Sequence, residues 1–329
     1  MTTEWPSWDE LQAEAPPGST WRIWSETGAS GTANFLTPER VAAAASLVRT
    51  GRVIGLDYAI NAFDPFPSGL RHAAQHHVFE NNPYHRDDYL DSFYLQSTSQ
   101  VDALRHIGDP RTGFYGGRSP EQNDADPEAL GIQVWGSTGL AGRGVLVDAG
   151  RYFAAQGRPL DLELSTSITA DDLDAILEWE GVRLRGGELL ILRTGWAENY
   201  LAMTPEYRAE FNRRNASPGL AQREETLRWL WEHEIAMVAA DNPGVEADPI
   251  VTTEFRDPDQ PPPARGFDHN GMLHRPLISL MGMIVGEYWK LDELGADCAA
   301  DGVYEFLLTC KPLNLRGGAG SPPNAMAIK

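Results

Sequence analysis

Five short apolar runs form the clearest pattern along the chain. They cover residues 52–58, 144–148, 188–194, 235–241 and 304–310. Nearly continuous hydrophobicity over so few residues is typical of strands that are covered on both faces. The pattern therefore predicts five buried strands.

Helix start signals alternate with these runs. Thr37, followed by a proline, has the pattern of an N-cap and predicts a helix up to residue 48. Thr169 and Asp172 form a capping-box pattern ahead of a second predicted helix. Ser217, also followed by a proline, is expected to begin a third helix. Because strands and helices alternate, the sequence predicts an α/β fold.

The chain shows no internal repeat and no clear domain linker. We expect one structural unit, in which residues 1–50 supply an N-terminal extension with the first helix and residues 51–329 supply the main domain. Three stretches rich in Pro, Gly, Asn, His or polar residues are predicted as long loops: 59–91, 107–140 and 254–265. Loops of this length in a compact domain usually cover a site or an interface.

The composition narrows the class of protein. A formal net charge of −20, from 27 basic and 47 acidic side chains, makes binding to nucleic acid or to an anionic membrane surface a poor expectation. No apolar run approaches the roughly 20 residues of a membrane span, and the first ten residues lack a signal-peptide pattern. Cys298 and Cys310 lie in or beside apolar runs and are expected to be buried thiols. These features predict a cytoplasmic protein without a disulfide framework.

The segment 95–106 gathers polar side chains that could bind a metal or move a proton. Gln96, Gln100, Asp102 and His106 follow one another at steps of four, two and four. If residues 100–106 are extended, the even-numbered side chains share one face, because side chains alternate along a strand. The alternative is a solvated edge strand with an incidental histidine.

A second polar cluster lies near the C-terminal end. It spans residues 269–274 and includes His274, with Glu287 following an apolar segment at 277–285. A carboxylate at the end of such a run is either paired or functional, since an unpaired buried charge is costly. Asp241 closes an apolar run before a sharp turn, so a structural and a functional role both remain open for it. Together with Asp102 and His106, His274 and Glu287 make a plausible ligand set for one divalent ion.

Several blocks of the sequence resemble the cyclase family of metal-dependent hydrolases, which includes bacterial kynurenine formamidase and isatin hydrolase. The blocks keep the family's order and spacing from about residue 53 to the C-terminus, and they cover residues 100–106 (QVDALRH), 114–117 (FYGG), 142–148 (GRGVLVD), 187–196 (GELLILRTGW), 273–287 and 311–328. The resemblance implies a compact α/β domain with a mixed sheet of the swivelling β/β/α type.

The resemblance also implies a metal site. The family signature is His-x-Gly-Thr-His-x-Asp-x-Pro-x-His, in which Asp102 matches the aspartate and His106 the last histidine. Gln96 and Gln100 stand where the two ligand histidines are expected, and His274 matches a downstream ligand. An amide carbonyl is a hard, weak ligand, so one Mn²⁺ or Mg²⁺ ion is favoured over Zn²⁺, with no organic cofactor.

The activity that the resemblance implies is hydrolysis of an amide, lactam or lactone by metal-activated water. His106 would act as general acid and base, with Glu287 as a further catalytic group and Tyr115 as a donor to the oxyanion. The side chains expected around the substrate are Trp135, Phe114, Tyr94 and Asp241.

Two other functions remain open from the sequence. One is a metal-independent lyase or cyclase that uses His106 and Glu287 to shuttle protons. The other is a binding protein that has lost catalysis together with its ligand histidines. The expected partners are a small-molecule substrate and further copies of the chain, in a homodimer or larger homo-oligomer.

Overall fold

Four of the five apolar runs predicted as strands lie side by side in one large sheet, and these are the runs at residues 144–148, 188–194, 235–241 and 304–310. The computed structural model describes residues 5–24, 28–214, 216–260 and 269–329. Within these ranges the strands are β1 Val53–Gly55, β2 Gln75–Asn82, β3 His85–Asp91, β4 Gln100–Asp102, β5 Leu140–Asp148, β6 Ser167–Ile168, β7 Leu189–Arg193, β8 Gly219–Leu220, β9 Met237–Ala240, β10 Ile284–Glu287, β11 Glu305–Cys310, β12 Gly320–Ser321 and β13 Met326–Ile328.

Nine of these strands form the main sheet, in the order β1-β13-β11-β5-β7-β9-β10-β4-β12. The central strands β5, β7, β9 and β10 run parallel to one another, whereas the pairings of β11, β13 and β1 on one side and of β4 and β12 on the other are antiparallel. The parallel strands are buried on both faces, as their continuous hydrophobicity predicts. The predicted single α/β domain with a mixed sheet is confirmed.

Helices connect and cover these strands. The α-helices are α1 Trp8–Gln12, α2 Pro38–Ala45, α3 Pro120–Ala125, α4 Gln133–Gly136, α5 Ala149–Ala155, α6 Ala170–Glu180, α7 Trp196–Ala202, α8 Pro205–Phe211, α9 Glu224–Glu232 and α10 Asp292–Asp301. Short 3₁₀ segments span Gly28–Phe35 and Tyr115–Gly117, and a π-helix spans Arg275–Leu280. Thr37 caps α2, and Thr169 caps α6 through its capping box with Asp172. Both predicted helix starts are confirmed.

The N-terminal residues pack into the same core as the sheet. Trp8, Leu11, Trp24 and Phe35 are buried in one cluster with the side chains of the central strands. The cysteines are both buried and free. The described residues before 50 therefore share the core of the sheet.

Other sequence expectations are corrected. Ser217 does not begin a helix, because its backbone pairs with Asp248 and leads into the short strand β8. The predicted loop 59–91 contains the hairpin of β2 and β3, and the loop 107–140 contains short helices. Strand β1 is an edge strand on which only Ile54 is buried, and β11 alternates between buried and half-buried residues. Part of the predicted loop 254–265 lies outside the described residues.

Among the described residues, no helix has both the length and the apolar character needed to cross a bilayer.

Candidate functional site

The polar segment at 95–106 enters the sheet as β4, between β10 and β12. Gln100 lies directly opposite Glu287 on β10, and the Gln100 Nε2 donates to Glu287 Oε2 at 2.6 Å. The strand ends at Asp102, so the predicted extension to His106 is wrong. A turn follows, in which the His106 N–H donates to the Ala103 carbonyl at 2.8 Å. This turn, rather than the alternation of side chains along a strand, brings His106 Nε2 to 3.7 Å from Asp102 Oδ1.

His274 joins the same centre from the residue just before the π-helix. Its Nδ1 donates to Glu246 Oε1 at 2.6 Å, and its Nε2 lies 3.0 Å from Glu287 Oε1. The Glu246 carboxylate also accepts the backbone N–H groups of Leu273 and His274, at 2.6 and 3.1 Å. Three bonds therefore fix Glu246, and Glu246 in turn fixes the orientation of the imidazole.

Three side chains offer a cation binding site. One ligand atom each from Asp102, His274 and Glu287 lies within 4.8 Å of the others, and all three residues are buried. Asp102 Oδ2 accepts no hydrogen bond within the described part of the chain, although it is buried. An unpaired buried carboxylate oxygen is costly, and a cation satisfies it. Two carboxylates, together with one imidazole that the Glu246 carboxylate holds in place, suit a divalent metal ion. The residues therefore fit the ion that the family resemblance implies.

Each of the two glutamines donates its amide N–H to a carboxylate of the cluster. The Gln96 Nε2 donates to Asp102 Oδ1 at 2.5 Å and lies 3.2 Å from His106 Nε2, which therefore accepts from it. The Gln100 Nε2 faces Glu287, as described above. A carboxylate only accepts hydrogen bonds, so each amide must present its nitrogen to it. The buried Gln100 Oε1 accepts no hydrogen bond from the described residues, so the ligand role of Gln96 and Gln100 stays a prediction.

Charges inside this buried site set the protonation of its carboxylates and of His274. Burial alone disfavours a charged imidazole, but hydrogen bonds to Glu246 and Glu287 outweigh it and raise the pKa of His274 well above its usual value. Burial also raises the pKa of Glu287, yet the bond and charge of His274 lower that pKa overall. Burial and the nearby Glu287 charge raise the pKa of Asp102. The cluster therefore holds Glu287 ionised against a positive His274.

Two further histidines face the cluster in neutral form. Burial lowers the pKa of His106 to about 4. Burial and the positive His274 lower the pKa of His269 to about 3, and the two rings lie 5.7 Å apart between centroids. A neutral histidine near neutral pH is a proton acceptor, so His106 has the protonation state that a general base needs.

Arg71 supplies a positive charge beside the cluster. Its Nη1 donates to the Gln96 carbonyl, and its guanidinium lies 5.0 Å above the centre of the Phe66 ring. The Arg71 charge acts to lower the pKa values of Asp102 and Glu287. It is therefore placed to balance negative charge that develops in the site.

Tyr115 and the three aromatic residues predicted to line the substrate site make the contacts recorded for them elsewhere in the fold. The Tyr115 hydroxyl shares a hydrogen bond of 2.9 Å with the Thr20 hydroxyl in the core. Trp135 is buried and donates to the Ser30 carbonyl at 3.1 Å. The Phe114 ring packs against Gly108, and Tyr94 is exposed beside the ring of His72.

Asp241 is engaged in a turn. Its Oδ1 accepts the backbone N–H and the hydroxyl of Thr194, both at 2.8 Å, and its Oδ2 accepts the Gly195 N–H at 2.7 Å. These three bonds hold the loop between β7 and α7. The structural role that the sequence left open thus has direct support.

Sequence reasoning did not single out Glu246 or Arg71 and gave His269 no role. Glu246 follows the Asp-Asn-Pro-Gly turn at 241–244, and a carboxylate just after a sharp turn beyond a buried strand was the available signal. Arg71 and His269 carry no such signal, because only the tertiary fold brings their segments to β4.

Comparison with known proteins places the chain in a family. A family model described as putative cyclase matches residues 29–247, about two thirds of the sequence. The chain belongs to this cyclase family. A crystal structure described as a novel cyclase shares 33% identity, covers 94% of this chain and 99% of its own, and has a TM-score of 0.79.

More distant solved structures share the fold. An isatin hydrolase bound to the product analogue thioisatinate has 16% identity and a TM-score of 0.54, with coverage of 86% of this chain and 93% of its own. Isatin hydrolase A from Ralstonia solanacearum has 15% identity and a TM-score of 0.53, with coverage of 89% and 98%. No curated protein matches the sequence.

Proposed function

We propose that this cyclase-family protein is a hydrolase of small carbonyl compounds, with an amide, a lactam or a lactone as the substrate class. The observation that carries the proposal is the buried group of Asp102, His274 and Glu287 with neutral His106 beside it. Solved structures that share its fold are named isatin hydrolases. Isatin is a lactam, so these names favour the same substrate class.

Asp102, His274 and Glu287 would hold the divalent ion, and His274 would release its Nε2 proton on binding because a ligating imidazole is neutral. Because two of the three ligands are carboxylates, Mn²⁺ or Mg²⁺ is a better match than Zn²⁺. When bound, such an ion would supply Lewis-acid polarisation of a carbonyl oxygen and would lower the pKa of water.

His106 is the proton carrier in this proposal. The lone pair of its Nε2 accepts the Gln96 amide N–H while the ring is neutral, so the attacking water must displace that donor to reach it. The imidazole takes a proton from the attacking water and returns it to the leaving nitrogen or oxygen. Arg71 balances the negative charge that appears on the carbonyl oxygen, and Glu246 keeps His274 in place.

The proposal is tested with metal content and a hydrolysis screen on the wild-type protein and on His106→Ala. The screen contains isatin, an aryl formamide and an aromatic lactone, each with and without added Mn²⁺. We expect about one equivalent of ion in both proteins and a loss of kcat of about 10²–10⁴-fold in the variant. The matched control is His233→Ala, because His233 is a half-buried histidine at the end of α9 that, among the described residues, bonds its own helix alone.

Activity that survives exhaustive chelation would contradict the metal-dependent reaction and favour the lyase or cyclase alternative. Equal activity of wild type and His106→Ala would remove His106 from the mechanism. Ion binding with no turnover of any carbonyl compound would favour the binding-protein alternative.

A further inference from the structure

A cavity of about 160 Å³ lies between the N-terminal residues and the π-helix. Its lining side chains come from α1, from α9, from residues 275–281 and from the segments that contain Asp109 and Phe255. Among the described residues that line it, none belongs to the ion-binding cluster. An apolar cavity of about 150 Å³ accommodates a benzene molecule, so this volume suits one six-membered ring.

The π-helix supplies one wall of the cavity. The Met281 N–H donates to the Pro276 carbonyl at 3.0 Å, five residues earlier, and a turn of this width brings residues 275, 276, 280 and 281 to the same cavity. Such turns are rare and are frequently found at functional sites. The residue before this helix is His274, so the cavity and the ion-binding cluster share one short segment of the chain.

Apolar side chains form much of the lining. Trp8 is 1% exposed, and its Nε1 donates to Glu224 Oε1 at 3.1 Å, which fixes the orientation of the indole ring. Leu227 and Met281 are buried, and Leu280 is half-buried. An indole ring and a thioether sulfur both make favourable contacts with an aromatic ring. The lining therefore suits a ring in its chemistry as well as in its volume.

Charged side chains of both signs line the same cavity. Arg111 and Arg275 carry positive charge, and Asp109 and Glu224 carry negative charge. Arg275 and Asp109 are buried, with 6% and 7% of their surface exposed, whereas Arg111 and Glu224 are exposed. A few charged or polar groups beside an apolar lining are what fixes the orientation of a small ligand in a protein.

These four charges favour a ligand that carries both signs. A carboxylate alone is attracted by the two arginines but repelled by Asp109 and Glu224, and an ammonium group alone meets the reverse. The Arg111 Nε lies 3.4 Å from Asp109 Oδ1, so a ligand of one sign must also compete with that pair. A zwitterion gives the guanidinium groups a carboxylate to bind and the carboxylates an ammonium donor, and it leaves the balance of charge unchanged.

We propose that this cavity is a second ligand site, which binds an aromatic α-amino acid. The ring packs against the apolar lining, the ligand carboxylate binds the two arginines, and the ligand ammonium group binds the two acidic side chains. The proposal is independent of the hydrolase activity, because it involves no reaction at the ion-binding cluster.

The ligand class is tested by titration calorimetry of the full-length protein with L-phenylalanine. Three comparison compounds each lack one feature: 3-phenylpropionate has no ammonium group, 2-phenylethylamine has no carboxylate and L-alanine has no ring. We expect L-phenylalanine to bind at least about tenfold more tightly than each of them, because hydrogen bonds between charged groups are among the strongest. No binding of L-phenylalanine, or equal affinity for one of the singly charged analogues, overturns the proposal.

The location is tested with variants of the cavity wall. Leu280→Trp fills part of the volume and Arg111→Gln removes one guanidinium group, so each should weaken L-phenylalanine binding about tenfold or more. The matched control is Arg158→Gln. The Arg158 side chain is 61% exposed, as that of Arg111 is, and it pairs with Asp172 away from the cavity. Arg158→Gln should bind like the wild type, and circular dichroism checks the fold of every variant.

Binding at the ion-binding cluster is distinguished with His106→Ala. This variant should bind L-phenylalanine with wild-type affinity, because His106 does not line the cavity. Loss of binding in His106→Ala, with wild-type binding in Leu280→Trp and Arg111→Gln, would place the amino acid at the cluster and overturn the second site. Turnover is not measured, so failure of the hydrolase proposal would leave this result unaffected.

Discussion

Gln100 shows how one amide can prepare a carboxylate for an ion. Its nitrogen satisfies Glu287 Oε2, so that Oε1 stays directed at His274 and Asp102. Gln96 acts in the same way on Asp102, binding Oδ1 while Oδ2 remains without a hydrogen bond. Each carboxylate therefore has one oxygen held by the protein and one directed toward the proposed ion.

Gln100→Leu should weaken ion binding without unfolding the protein. The substitution leaves Glu287 Oε2 buried and unpaired, and loss of such an outer contact typically lowers metal affinity about 10–100-fold. Titration calorimetry of the metal-free protein with Mn²⁺ measures the change. The control is Gln156→Leu, an exposed position at the end of α5 that should bind Mn²⁺ like the wild type. Equal affinity of Gln100→Leu and wild type would show that the amide does not prepare the site.

Glu180 gives the stability of the fold a pH dependence. Its Oε1 accepts the Asp148 N–H at 2.7 Å in the core, while burial and the charge of Asp148 raise the pKa of Glu180 to about 8. The folded state then keeps a proton that the unfolded chain releases near pH 4.5. The stabilising contribution is complete below that pH and is lost as the pH rises toward 8.

Glu180→Gln should remove this loss, because glutamine keeps the accepting oxygen and has no charge. Urea unfolding at pH 5, 7 and 8.5 gives the free energies of the two proteins. We expect the wild type to lose stability relative to the variant between pH 5 and 8, and the difference to level off above pH 8. Parallel pH profiles would contradict the buried, protonated carboxyl.

The loop after β7 depends on a carboxylate from the next strand of the sheet. Asp241, one residue beyond β9, accepts three bonds from Thr194 and Gly195 and is nearly fully buried. Hydrogen bonds to a charged group are worth about 1.5–3 kcal/mol, more than neutral ones. This contact joins two neighbouring parallel strands at their carboxyl ends.

Asp241→Asn should lower the free energy of unfolding by about 1–3 kcal/mol, because an amide nitrogen then faces backbone donors. Ion affinity and kcat should change little at a temperature where the variant is folded. Denaturant unfolding and Mn²⁺ titration on the same preparation separate the two effects. A change in KM with unchanged stability would instead support the substrate-binding role predicted from the sequence.

Elements with a strong local pattern were predictable, and those set by distant contacts were not. Continuous hydrophobicity identified β5, β7 and β9, and N-cap chemistry identified α2 and α6. Ser217 has the same local pattern as Thr37, but pairing with Asp248 overrides it. The polar strands β2 and β3 carry no apolar alternation toward a core, so the sequence gives no sign that they are strands.

The candidate site was predictable only in part for the same reason. Asp102, His274 and Glu287 were expected near one ion, and the fold brings them together. The orientation of the glutamine amides depends on which groups face them across the sheet. The contribution of Glu246 depends on a turn whose path the sequence does not reveal.

At the scale of the whole molecule, the β2–β3 hairpin and the proposed active site are neighbours. Arg71 precedes β2 by four residues and Gln96 follows β3 by five, and the two are joined by a hydrogen bond at the base of the hairpin. The hairpin therefore begins and ends beside the ion-binding cluster, which Gln96 contacts directly through Asp102.

Strand β4 also determines when the site can form during synthesis. It is held between β10 and β12, so Asp102 pairs with Val285 on one side and Gly320 on the other. A nascent chain that ends before residue 284 has Asp102 and His106 but neither Glu287 nor a neighbouring strand for β4. Contacts between residues so far apart in sequence form late and slowly. The ribosome must therefore complete almost the entire polypeptide before an ion can be captured, and truncated products should emerge without this centre.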